Sequence, residues 1–155
     1  MSLEDDLRKL SQAPLLGELE AEARRILSFS GETRVLRAGD LLFCKGETSD
    51  GGFIVFSGSI GLDPEDGKSG ETIAYPYALI GEIALISQTE RPITARAREA
   101  SVVMKISRHL FHRVLQEFPI STARVRDLVA SRLASYTGQL EEARITSFSA
   151  PKFER

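Results

Sequence analysis

A chain of 155 residues, 42% hydrophobic and 27% charged, fits one globular domain of ordinary size that can bury a core without staples. A formal net charge of −2 supplies no global basic field to attract nucleic acid. No apolar run approaches the ~18 residues of a membrane span, and the opening Met1-Ser2-Leu3-Glu4-Asp5-Asp6 is acidic, unlike a signal peptide. The single cysteine, Cys44, excludes an internal disulfide. It reads as a buried strand residue in a reducing compartment, so the expected localisation is cytoplasmic.

Residues 1–30 read as an N-terminal helical segment. After Pro14, the stretch Leu15 to Phe29 carries Leu19, Ala23, Ile26 and Leu27 at helical spacing. The texture changes at Gly31. Turn signals recur at Ala38-Gly39-Asp40, Lys45-Gly46-Glu47, Asp50-Gly51-Gly52, Ser57-Gly58-Ser59 and Asp66-Gly67-Lys68. Strand-length apolar runs lie between them at Thr33–Arg37, Leu41–Cys44, Phe53–Phe56 and Ser59–Leu62, then at Thr94–Arg98 and Val102–Ile106. Many short strands at regular spacing predict a β-roll or jelly roll over residues 31–106.

At Ser107 the period becomes helical. Ser107 can cap a helix whose face is Leu110, Phe111, Val114, Leu115 and Phe118. Pro119 breaks it, and Ser121 or Thr122 can restart a second helix with the stripe Val125, Val129, Leu133, Tyr136 and Leu140. The two C-terminal helices fill residues 107–144, and residues 145–155 read as a loose tail. The fold class is therefore mainly β with flanking helices. One N-terminal helix region, a double-stranded β-roll and two C-terminal helices make up a single domain.

The chemistry concentrates in residues 79–95. Gly81 opens a short apolar helical turn, Glu82 follows at once, and Arg91 comes nine residues later. Free N–H groups at a helix start attract an anion, and glycine lets a ligand approach the backbone. Arg91 can neutralise a phosphate with its fork, and Glu82 can accept from a sugar hydroxyl. The plainer reading is a structural Glu82–Arg91 ion pair. His109 and His112 have no carboxylate or cysteine at metal spacing, so no metal site is expected. No nucleophile elbow is present and no catalytic residues are assigned.

This stretch resembles the phosphate-binding cassette of the cyclic-nucleotide-binding domain family. Gly81-Glu82-Ile83-Ala84-Leu85-Ile86, Arg91 and Thr94 follow the family pattern. Leu36-Arg37-Ala38-Gly39-Asp40-Leu41-Leu42-Phe43 is similar to its early hairpin, and Phe53-Ile54-Val55-Phe56-Ser57-Gly58-Ser59-Ile60 to its central strand pair. The resemblance implies that Glu82 binds the ribose 2′-hydroxyl and Arg91 the cyclic phosphate. Gly81, Ile83 and Ala84 would line the pocket with backbone N–H groups, and Arg132 with Tyr136 would cover the purine as a base lid.

Two departures stand out. Pro92 follows the arginine where the family has a small residue that donates its N–H; losing one donor costs ~1–3 kcal/mol. Tyr75-Pro76-Tyr77-Ala78-Leu79-Ile80 replaces the family's glycine-rich lead-in. The resemblance implies a sensor module without its own output domain. Its ligand is a cyclic purine nucleotide, cAMP before cGMP, and it needs no cofactor. The alternative is a degenerate domain that binds no nucleotide. It would act as a homodimerisation or protein-docking module through the stripe from Val125 to Leu140. With only the short tail after the helices no DNA-reading module is expected, and with no apolar run of spanning length no membrane partner is expected.

Overall fold

The structure, a computed structural model, describes residues 3–131. Eight strands form two antiparallel four-stranded sheets. They are β1 (Glu32–Leu36), β2 (Leu41–Phe43), β3 (Gly51–Ser57), β4 (Ile60–Asp63), β5 (Thr72–Ala74), β6 (Leu79–Ile80), β7 (Thr94–Ala97) and β8 (Ser101–Ser107). One sheet runs β1-β8-β3-β6, the other β2-β7-β4-β5. The expected jelly roll is present.

The first sheet carries two cores, one on each face. On β3, Phe53 and Val55 point into the roll, where they join Leu36, Phe43, Ile60, Ala95, Ala97 and Val103. Ile54 and Phe56 point out and pack with Met104 and Ile106 of β8 under the helices. With both faces covered, the strand reads as a continuous apolar run instead of an alternating one.

The helices that supply the outer core are α1 (Leu3–Gln12), α2 (Ala21–Ser30) and α4 (Arg108–Glu117), joined by a helical stretch over residues 119–131. A short α3 (Glu82–Ile86) interrupts the roll at the expected place. Phe111 of α4 is fully buried; truncating such a phenylalanine to alanine costs about 3–5 kcal/mol.

Three expectations about where elements begin change. The N-terminal helix does not start at Leu15. Leu15 takes φ 69° and Leu16–Glu18 form a 3-10 turn, so that Leu15, Leu16 and Leu19 all reach the outer core. The acidic start instead forms α1, with Glu4, Asp5 and Asp6 in its first turn, where the helix dipole favours them. Gly51 and Gly52 are not a turn; they begin β3, where a methyl group at Gly51 would lie 2.2 Å from the Ile106 carbonyl oxygen. The last helix restarts at Pro119, not at Ser121, with proline in the first turn, where its missing N–H costs nothing.

Ser107 caps α4 as expected, accepting from the Leu110 amide at 3.0 Å. Cys44 is not a buried strand residue. It lies just past β2 and is half-buried, with its thiol pushed up from the usual range by desolvation and by Glu47. Val125 is buried in the outer core, and Val129 packs against it. Two of the five residues of the proposed dimer stripe are thus used within the chain; Leu133, Tyr136, Leu140 and the tail lie outside the described residues.

Candidate functional site

The site is built from two loops that pair with each other. The segment after β2 bonds the segment before β7: the Ser49 amide donates to the Thr89 carbonyl at 2.8 Å, and Arg91 and Glu47 are joined N–H to C=O at 2.8 Å. The Gly46 amide returns to the Arg91 carbonyl at 2.8 Å. The backbone of Arg91 is therefore held on both sides.

On the facing wall, β6 pairs with β3 and delivers the chain to Gly81. Gly81 is the N-cap of α3 in the left-handed region, φ 81° and ψ 40°. A methyl group there would come within 2.6 Å of Arg91 Nη1. Glycine is required twice, for its backbone and for the approach of the guanidinium. The Ala84 amide already returns to the Gly81 carbonyl at 3.0 Å. Helix geometry leaves the amides of Glu82 and Ile83 without an intrahelical acceptor. Glu82 is half-buried, Ile83 is exposed and Ala84 is buried.

Arg91 is 5% exposed. Its Nη2 donates to the Gly51 carbonyl at 2.8 Å, and its guanidinium carbon lies 4.2 Å from the Phe43 ring centroid. The ion pairs among the described residues do not include one between Glu82 and Arg91, so the structural-pair reading is not what holds the arginine. Burial pushes the Arg91 pKa down from its ordinary value, while the charges of Asp50 and Glu47 push it back up. A buried cation in this setting attracts an anion strongly, because water no longer competes for it.

Pro92 and Thr94 follow Arg91 on the same segment. Pro92 is exposed and contributes no donor. Thr94 lies on the outer side of β7, opposite Ala95, which faces the roll. Its hydroxyl accepts from the Lys45 amide at 2.9 Å and donates to the Glu65 carboxylate. In this structure Thr94 braces the loop beside Arg91. Arg132 and Tyr136, the expected lid, lie outside the described residues.

Sequence reasoning missed Arg108 and Phe43. Arg108 donates to the carbonyls of Ala84 at 2.9 Å and Ser49 at 3.2 Å, tying the end of α3 and the loop before β3 to the start of α4. A basic residue after a helix cap gives no hint of such reach. Two clefts, of about 360 Å³ between α2 and α4 and about 400 Å³ beside His109 and His112, share no residue with the cassette. Among the described residues no cluster could hold a metal ion, and no helix is long and apolar enough to cross a membrane.

A jelly roll interrupted by a glycine-capped helix, with a buried arginine facing that cap, is the arrangement of a cyclic-nucleotide-binding-type domain. The chain matches the sequence model of the cyclic nucleotide-binding domain over residues 33–118, more than half its length, and belongs to that family. It is similar to a solved cyclic nucleotide-binding-like protein from Brucella abortus, with 38% identity and a TM-score of 0.65, covering 72% of this chain and 98% of that one. The regulatory domain of Toxoplasma gondii PKA, crystallised with cAMP, shares the fold at 22% identity and a TM-score of 0.66, covering 72% of this chain and 44% of that one. A lysophospholipase of Chaetomium globosum is 28% identical over 110 residues, 69% of this chain. The chain spans only 7% of that enzyme's length, so the likeness does not reach the rest of it.

Proposed function

We propose that this domain is a regulatory sensor that binds a cyclic purine nucleotide, cAMP before cGMP. The observation that carries the reading is Arg91, a buried cation outside the ion pairs of the described residues, aimed at the glycine that caps α3. The cyclic phosphate would sit between the Arg91 fork and the amides at the start of α3. Glu82 would accept from the ribose 2′-hydroxyl, with Gly81, Ile83 and Ala84 lining the pocket. Arg132 and Tyr136 remain the proposed base lid. Pro92 offers no hydroxyl to a guanine, which favours adenine. The readout would pass from α3 through Arg108 to α4, shifting the population of helix positions. The cytoplasm suits a half-buried free thiol such as Cys44.

The second reading, a degenerate domain that docks a protein or a second copy, is favoured by one feature: Pro92 removes a donor from the cradle. Calorimetric titration with cAMP and cGMP decides between them. Arg91→Ala is expected to weaken nucleotide binding at least tenfold, since truncating one partner of a desolvated charge contact costs ~2–5 kcal/mol. Equal affinity in a folded Arg91→Ala protein would remove Arg91 as the phosphate ligand. Absence of binding to the parent at millimolar nucleotide would favour docking.

A further inference from the structure

Arg91 has 5% of its surface exposed, and the ion pairs among the described residues leave it out. A buried charge loses its hydration, and something must stand in for the lost water. One guanidinium nitrogen donates to the Gly51 carbonyl. Among the described residues, two rings also face it. The guanidinium carbon lies 4.2 Å from the Phe43 centroid and 5.6 Å from that of Phe53, both inside the cation–π range of about 6 Å. The rings stack on each other with centroids 5.9 Å apart and an interplanar angle of 29°. Phe43 ends β2 and Phe53 lies on β3, so the two rings come from opposite sheets and meet beneath the arginine.

We propose that Phe43 is a positioning residue whose ring face holds the Arg91 guanidinium against Gly81 and the start of α3 before any ligand arrives. Phe53 backs the stack but is shared, because Arg34 lies 5.4 Å from its centroid. A long arginine that orders only on binding weakens affinity, and a stack made in advance removes that cost. The consequence for affinity rests on the nucleotide reading; the positioning of Arg91 does not. Phe43 also fills the inner core. The proposal assigns its aromatic face a separate task, so an aliphatic residue of similar bulk would keep the core and release the arginine.

Two replacements in the full chain test this. Phe43→Leu removes the π face. Trifluorophenylalanine at the same position drains negative charge from the ring face at nearly constant size, and so reads the interaction even where Phe43→Leu fails to fold. The solvent exchange rate and ring-current shift of the Arg91 Nε proton are followed by NMR without ligand, and cAMP affinity by calorimetry. In Phe43→Leu, Arg91 exchange should quicken about tenfold and the ring-current shift vanish, with cAMP bound about tenfold more weakly. The fluorinated ring should fall between. A folded variant with unchanged Arg91 exchange and unchanged affinity would reduce Phe43 to core filling. If the parent takes up no cAMP, the sensor reading fails, and the Arg91 exchange rate alone still decides the positioning claim.

Discussion

Gly81 and Arg91 constrain each other. The positive φ of Gly81 puts the start of α3 where the guanidinium can reach it, and the missing side chain leaves room for Nη1. Gly81→Ala should therefore fail in two measurable ways. The left-handed backbone costs about 1–2 kcal/mol in urea unfolding, and the methyl group displaces the flexible end of Arg91, lowering nucleotide affinity more than tenfold. Normal affinity in that variant would show that Arg91 does not need this approach. Pro92 gives the opposite test. Pro92→Ala restores an N–H beside Arg91 and should tighten cAMP binding, since a donor that reaches a phosphate oxygen contributes ~1–3 kcal/mol. The same change loosens the unfolded chain and should cost ~0.4–1 kcal/mol in ligand-free melting. Unchanged or weaker binding would mean that the cradle does not use this position. That Gly81 opens α3 and that Arg91 returns to face it were legible in the sequence through the cassette-like pattern, while the ribose role of Glu82 stays a proposal. The placement of Thr94 was not legible. Spacing locates a residue along a strand, but which face it takes depends on pairing that only the folded sheet shows. Phe43 was hidden for a related reason: a phenylalanine in an apolar strand looks the same whether it fills space or carries a cation.

At the scale of elements, the strands that the sequence revealed are those bounded by glycine turns. Gly39, Gly46, Gly58 and Gly67 all take positive φ, and each lies at an expected turn. β5 and β6 escaped because they are three and two residues long, too short for any period to register, and because Tyr75-Pro76-Tyr77 between them reads as loop. The starts of α2 and of the last helix escaped because tertiary contacts set them. Glu20, the N-cap of α2, makes no side-chain cap bond of its own. Its amide instead donates at 2.7 Å to the Ser121 hydroxyl, 101 residues away and fully buried. Ser121 was expected to start a helix; it fastens the last helix to the N-terminal segment instead. Ser121→Ala should therefore destabilise the domain by about 1–3 kcal/mol, the range for orphaning a polar partner. Thermal melting checks this. An unchanged melting temperature would show that water satisfies the Glu20 amide equally well.

Across the whole molecule, the sheet β1-β8-β3-β6 separates the core inside the roll from the core under the helices. Anything that fastens β3 to β8 holds both cores in register. One such fastening is ionic: Lys105 Nζ of β8 reaches Asp50 Oδ2, just before β3, at 2.8 Å. That hydrogen bond holds the Asp50 carboxyl below its ordinary 3.8. Glu32 is likewise held below 4.5, first by its hydrogen bond from Arg34, and Asp66 below 3.8 by the amides of Ser69 and Lys68. A carboxyl whose folded-state value lies below its unfolded value stabilises the fold fully above the unfolded value. That stability is lost as pH falls through the folded one. These three groups therefore contribute in full above about pH 5 and progressively less below it. The pair is open to solvent on one side, the Asp50 side chain being 67% exposed, so screening keeps its share small. Lys105→Met should lower stability at neutral pH by only about 0.2–1 kcal/mol. It should also raise the Asp50 carboxyl toward its ordinary value and so make the acid limb shallower. High salt should shrink the difference between the two proteins, as expected for an exposed pair. Urea midpoints measured from pH 7 to pH 3 test all three points. Coincident profiles would show that the link between β3 and β8 is carried by the backbone ladder and the two cores, with the ion pair contributing nothing to their register.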